Sequence, residues 1–215
     1  MNVKDAYNDW AEQYDSNNNK TRDLEALSLK ECLHNIDFQN CLEIGCGTGK
    51  NTEWLLTKAK DIIAIDFSDK MLERAATKIR SEQVQFIKAD INDEWDFTNH
   101  QTFDLVSFSL VLEHIEDLNR IFEKLKNVVT DNGYVYVGEL HPFKQYTGTK
   151  ARFETVAGLQ VVTCFNHNIS DFTNAARKNG FKILDVNEYF DNNDKAGIPR
   201  ILTLIFQKEK FKKER

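Results

Sequence analysis

The sequence predicts a three-layer, doubly wound α/β fold on a mainly parallel seven-stranded sheet whose last strand is reversed. Three observations point there. Short β-branched apolar runs alternate with longer helical patterns through the middle of the chain. A glycine-rich turn follows the first of these runs and opens the first helical pattern. The last two apolar runs are joined by a turn-rich loop too short to hold a crossover helix, so they should pair antiparallel.

Taken in order, the strand candidates are residues 41–44, 61–66, 84–88, 103–108, 134–138, 181–186 and 201–206. Helical patterns occupy about 51–58, 68–80 and 118–129, with Ser68 placed to cap the second and residues 131–133 (DNG) to turn the chain after the third. Strands and helices of these lengths imply right-handed βαβ crossovers. Residues 1–38 read as a helical cap, with Tyr7, Trp10 and Tyr14 spaced along one face. Residues 141–167 read as an irregular, lid-like insertion with short strands near 152–156 and 160–165. With no repeat, no low-complexity tract and only 2 prolines, the expectation is one domain over residues 1–215.

Composition narrows the class of function. A hydrophobic share of 41% and a charged share of 29% are ordinary for a globular protein, while 15 Phe, 6 Tyr and 3 Trp favour deep packing or a ring-walled pocket. The net charge of −6 provides no overall attraction to nucleic acid or anionic lipid, and the basic stretch 208–215 reads as a solvated end. No apolar run approaches the roughly 18 residues a membrane span needs, and the first residues lack the apolar core of a signal peptide. Cys32, Cys41, Cys46 and Cys164 show neither Cys-x-x-Cys nor zinc-like spacing, so the expectation is reduced thiols, a cytoplasmic setting and no metal.

The chemistry concentrates in residues 43–49 (EIGCGTG). Glycines there allow positive φ and bring backbone within contact of a ligand, and the following helix start offers amide donors. Asp66 ends the second strand, where a carboxylate can accept both hydroxyls of a ribose. Asp90, just past the third strand, can accept from the exocyclic amine of adenine. A dinucleotide fingerprint requires glycine at position 50, where Lys50 stands.

The observed G-x-G-x-G resembles the first motif of class I S-adenosylmethionine-dependent methyltransferases, of the small-molecule type. Residues 7–15 (YNDWAEQYD) are similar to their N-terminal signature, 65–72 (IDFSDKML) to their second motif, 88–91 (KADI) to the third and 103–115 (FDLVSFSLVLEHI) to the fourth. Residues 131–137 (DNGYVYV) resemble the penultimate loop and strand. The resemblance spans roughly residues 7–140 and implies a Rossmann-like methyltransferase fold with S-adenosylmethionine as cofactor. It implies that Glu43 and the backbone of Gly45, Cys46 and Gly47 face the methionine half, with Tyr14, and Lys20 or Arg22, reaching its carboxylate. Asp66 would bind the ribose, Phe67 and Met71 would lie against the adenine, and Asp90 and Ile91 would sit at its edge. Ser109 and Leu110 would line the sulfonium end.

Methyl transfer from a sulfonium is an in-line displacement, so the protein chiefly aligns and desolvates, and a base is needed only where the nucleophile must lose a proton. The acceptor site should lie above the fourth and fifth strand ends, where His114, Glu139 and His141 are the catalytic candidates. His141, with a near-neutral reference pKa, is the expected base or acceptor-orienting group. A small-molecule acceptor on O, N or C, no nucleic-acid partner, no membrane and a monomer or homodimer complete the expectation. A non-catalytic cofactor-binding regulatory domain and a nicotinamide-dependent reductase stay open as alternatives.

Overall fold

The computed structural model describes residues 3–16, 18–155 and 158–210. The end of the basic stretch, beyond residue 210, lies outside the described residues. Seven strands form one sheet: β1 (Asn40–Ile44), β2 (Asp61–Asp66), β3 (Val84–Lys88), β4 (Phe103–Ser109), β5 (Val129–Leu140), β8 (Phe181–Tyr189) and β9 (Ile201–Lys208). Their order is β3-β2-β1-β4-β5-β9-β8. The pairs β1–β2, β2–β3, β1–β4 and β4–β5 are parallel, while β9 runs antiparallel to both β5 and β8. The reversed strand is therefore β9, slotted between two strands of the common direction.

Both faces of the sheet are covered, which explains the unbroken apolar runs. Ile63 and Ile65 of β2 belong to one core layer with Phe122 and Leu125 of α5 (Leu118–Val128) and Phe172 of α7 (Ile169–Lys178). The alternate residues Ile62 and Ala64 face the other layer, with Leu29 and Leu33 of α2 (Lys20–Leu33). A strand with apolar residues at successive positions can satisfy both layers only because successive side chains point to opposite faces.

Local chemistry sets the boundaries. The Ser68 hydroxyl caps α4 (Asp69–Lys78) by accepting from Met71 N–H at 3.2 Å, as expected. The predicted 51–58 helix is only one turn, α3 (Thr52–Leu55). The helical cap is split into α1 (Val3–Trp10), a 3₁₀ turn over Ala11–Gln13, and α2. Asn19 restarts the helix by accepting from Thr21 and Arg22 N–H. The expected turn at 131–133 sits within β5 instead, with Asn132 at φ 63° and a register shift between Phe103 and Leu105 opposite. Beyond β5 come α6 (Pro142–Tyr146) and an antiparallel pair, β6 (Arg152–Thr155) and β7 (Gly158–Val161), within the expected insertion. Among the described residues no helix is long and apolar enough to cross a membrane.

Candidate cofactor and acceptor site

The carboxyl ends of β1, β2 and β4 open onto one largely apolar cavity. Gly45, Gly47, Asp66, Met71, Ser109 and His114 are among its walls, and Tyr7 of α1 forms part of its roof. A smaller cavity adjoins it through Tyr14, Gly45, Gly47, Ser109 and Leu110, and reaches Arg22, Glu25, Glu43 and Asn51.

The glycine loop acts by shape. Gly45 has φ 73° and Gly47 φ 54°. A Cβ on Gly45 would meet Val111 Cγ2 at 2.2 Å, so β1 and the turn after β4 approach closely only because that atom is missing. The amides of Gly45, Cys46 and Gly47 are already engaged. Gly45 and Cys46 N–H both donate to Ile65 C=O, at 2.8 and 2.9 Å, and Gly47 N–H donates to Asp66 Oδ2 at 2.9 Å. The single turn of α3 adds no extended helix start behind them.

Asp66 also accepts from Ser68 N–H through Oδ1 at 2.8 Å, so each oxygen takes one backbone amide and keeps a lone pair. Burial raises its pKa, against the pull of the Ser68 and Gly47 amides. Phe67, Met71, Asp90 and Ile91 line the same end of the cavity. Part of Asp90 is already engaged, since its Oδ1 accepts from both nitrogens of Asn92. Leu110 holds φ 59°, an uncommon conformation for a γ-branched residue, where the chain leaves β4 against both cavities.

Tyr14 lies between the cavities, with the Arg22 guanidinium 3.9 Å over its ring and Arg22 Nη1 donating to its carbonyl. Arg22 lines the smaller cavity and Lys20 does not. Glu43 is buried and accepts from Thr52 Oγ1 at 2.5 Å through Oε2. Burial pushes its pKa up to about 8.

The three catalytic candidates separate. His114 reaches the main cavity. Its Nδ1 faces Thr163 C=O at 2.8 Å, and because a carbonyl only accepts, that nitrogen carries the proton. Nε2 then accepts from Tyr7 O–H at 3.0 Å. His141 is fully buried away from both cavities. Its Nδ1 accepts from Phe143 N–H at 3.1 Å as the cap of α6, leaving Nε2–H for Glu188 at 2.9 Å. Burial lowers its pKa against the pull of Glu188. Both nitrogens are thus spent on the fold, which departs from the expectation that His141 serves as the base. Glu139 is likewise outside the cavities and holds the 3₁₀ turn Leu112–His114: Oε1 accepts from Val111 and Leu112 N–H at 2.9 and 2.8 Å. Its contribution is to place His114.

Two site residues carry no signal in the glycine motif. Tyr7 meets His114 across 107 positions of sequence. Glu25 lies on the buried face of α2, in register with Leu29 and Leu33, and an acid at a core position of an amphipathic helix is the signal that marks it.

A methyltransferase-domain family model matches residues 42–137, the span from β1 to β5. An uncharacterized methyltransferase of Emericella nidulans is 26% identical over 220 residues, covering 85% of this chain and 77% of that protein. The mitochondrial ubiquinone biosynthesis O-methyltransferase of Dictyostelium discoideum is 23% identical over 171 residues, 74% of this chain and half (50%) of its own length. The N-methyltransferase NodS of Bradyrhizobium japonicum WM9, solved with S-adenosyl-L-homocysteine, shares the fold with a TM-score of 0.68 at 18% identity, over 95% of this chain and 100% of that one. The methyltransferase-domain match over residues 42–137, the strand order with its reversed β9 and the glycine cradle facing Asp66 agree: the chain is an S-adenosylmethionine-dependent methyltransferase on a Rossmann-like fold.

Proposed function

We propose that the acceptor is a small molecule that enters the main cavity beneath α1 and meets the Tyr7–His114 pair. The observation that carries this reading is the lining of that cavity: Asp66 and the glycine cradle share it with His114 and Tyr7, and its walls are otherwise largely apolar. Such a site suits a ligand of modest size better than an extended polymer.

The residues present fit the cofactor. Asp66 offers an acceptor lone pair on each oxygen for the two ribose hydroxyls. Met71, Ile91 and Phe67 supply an apolar slot for a base, with Asp90 at its edge. The Gly45 cradle is a place where a side chain would collide with Val111. S-Adenosylmethionine, when bound, supplies a methyl group already activated by its sulfonium, so the chain's own work is alignment and exclusion of water. The roof residue Tyr7 excludes water, and burial keeps its phenol protonated. Its proton goes to His114 Nε2, and its oxygen can accept from an acceptor O–H or N–H. His114, held by Thr163 and by the Glu139-braced turn, is then the site to which that proton can pass.

The relatives include both an N- and an O-methyltransferase, and a His–Tyr pair serves either nucleophile. The whole chain reads as one methyltransferase domain with an N-terminal cap and a lid over residues 141–167. Four free thiols, two of them buried, suit a cytoplasmic enzyme, which cell fractionation would check. The direct test supplies methyl-labelled cofactor with a panel of phenols, amines and acids. Labelled small-molecule product is expected, and His114→Phe should reduce it by about 100-fold or more while cofactor affinity stays within a few-fold. Label appearing only on protein or RNA would overturn the reading.

A further inference from the structure

The smaller cavity has a chemical bias the family motif does not explain. Glu25, Glu43 and Asn51 are among its lining side chains, and the nearby Lys50 ammonium is paired with Asp23. The neighbouring donors are already used. Asn51 Nδ2 donates to Glu25 Oε2 at 2.9 Å, Tyr136 O–H to Glu25 Oε1 at 3.0 Å, and Thr52 Oγ1–H to Glu43 Oε2 at 2.5 Å. Ser109, at the junction of the two cavities, also bonds Glu25. The amides of Gly45, Cys46 and Gly47 are spent on Ile65 C=O and Asp66. Asn51 is 8% exposed, and its Oδ1 is buried with no partner among the described residues. The bond to Glu25 fixes which amide atom is the orphan, since the carboxylate needs the nitrogen as donor.

An orphaned amide oxygen beside two buried carboxyl groups suits a small ligand with several N–H donors and positive charge. Two acids share the space, and burial pushes Glu25 up to about 7, with the Glu25 charge itself raising Glu43. A cation placed between them would keep both ionised. Arg22 also lines the cavity, so the ligand end there is zwitterionic, with an anionic group for Arg22 and a cationic one for the carboxyl groups.

We propose that Glu25 of α2, together with Asn51, receives the α-ammonium group of the cofactor's methionine moiety. The proposal rests on the cofactor reading above and deepens it. A residue from the N-terminal cap, rather than from the nucleotide-binding sheet, then selects for an intact amino-acid end and ties α2 to the bound cofactor. Gly138 of β5 protects the arrangement, because a Cβ there would come within 2.6 Å of Glu25 Oε1.

The test compares three thioethers by calorimetry on the full chain: S-adenosylhomocysteine, its decarboxylated analogue, which keeps the amine, and 5′-methylthioadenosine, which lacks both groups. Glu25→Gln keeps the shape and the Tyr136 contact. It should weaken S-adenosylhomocysteine and the decarboxylated analogue about 10- to 100-fold, as expected for a lost charge-assisted bond, and leave methylthioadenosine within twofold. Asn51→Ala, which leaves Glu25 in place, should show the same pattern at about 3- to 10-fold. It carries the test if Glu25→Gln lowers the melting temperature too far. Equal losses for all three ligands, or none, would overturn the role of Glu25. Wild-type protein that binds none of the three would instead sink the cofactor reading itself.

Discussion

Gly45→Ala is the most telling single substitution, because the structure separates its cost into two parts. Alanine at φ 73° must occupy the left-handed region, at about 1–2 kcal/mol. Its methyl group would also stand 2.2 Å from Val111 Cγ2. Val111 cannot yield easily: its side chain is β-branched and its N–H is held at 2.9 Å by the buried Glu139. Overpacking of this kind adds roughly 1–3 kcal/mol. The expected loss is thus about 2–5 kcal/mol, or about 4–20 °C in melting temperature for a chain of this size. Gly47→Ala is the internal control. Its φ of 54° carries the same conformational cost, but the added Cβ would find only Tyr14 Cε1, at 4.0 Å. It should lose no more than about 2 kcal/mol. Urea unfolding of both variants, with Val111→Ala alone and combined with Gly45→Ala, completes a double-mutant cycle. Val111→Ala should return the steric part, at least about 1 kcal/mol of coupling, and leave the conformational part. Gly45→Ala and Gly47→Ala losing equal stability, with no coupling to Val111, would refute the argument.

Three further outcomes follow from the same geometry. Asp66→Ala should weaken S-adenosylhomocysteine and methylthioadenosine alike, by about 10- to 100-fold in calorimetry, because both carry the ribose hydroxyls; an unchanged methylthioadenosine affinity would contradict the ribose assignment. His141→Ala should cost about 1–3 kcal/mol on urea unfolding, through the lost α6 cap and Glu188 bond, with cofactor affinity within twofold; a stable but inactive variant would return His141 to the chemistry. Stability of the cofactor-free protein should fall from pH 5 to pH 8.5. Burial raises Glu25 to about 7 and Glu43 and Glu139 to about 8, from 4.5. The folded state therefore holds more protons than the unfolded one over that window, and the advantage disappears as pH rises through the folded values. Thermal unfolding flat or rising with pH over that range would refute the placement of these acids, and Glu43→Gln should flatten the slope.

Much of this protein was legible in local sequence. Strands 61–66 and 103–108, the Ser68 cap, the reversed final strand and the cofactor loop all rest on short-range rules: side-chain alternation, capping chemistry, the length a crossover needs, and glycine spacing. Asp66, Phe67, Met71, Asp90 and Ile91 line one cavity because the parallel strands β2 and β3 end side by side. What tertiary structure alone decided was the use of each ionisable group. His141 and His114 are both histidines near strand ends, yet one has both nitrogens bound to α6 and Glu188, and the other bonds Tyr7 in the lining of the cavity. Glu139 looked like chemistry and braces the turn before His114, while Glu25, on a helix with no motif, lines the cavity beside the cofactor loop. Whether a polar side chain serves the fold or the ligand depends on which partners arrive from distant segments, and a buried group takes the first suitable donor or acceptor within about 3 Å. Those arrivals are long-range contacts, such as Tyr7 with His114 and Glu25 with Tyr136, separated by 107 and 111 positions, which no local pattern encodes.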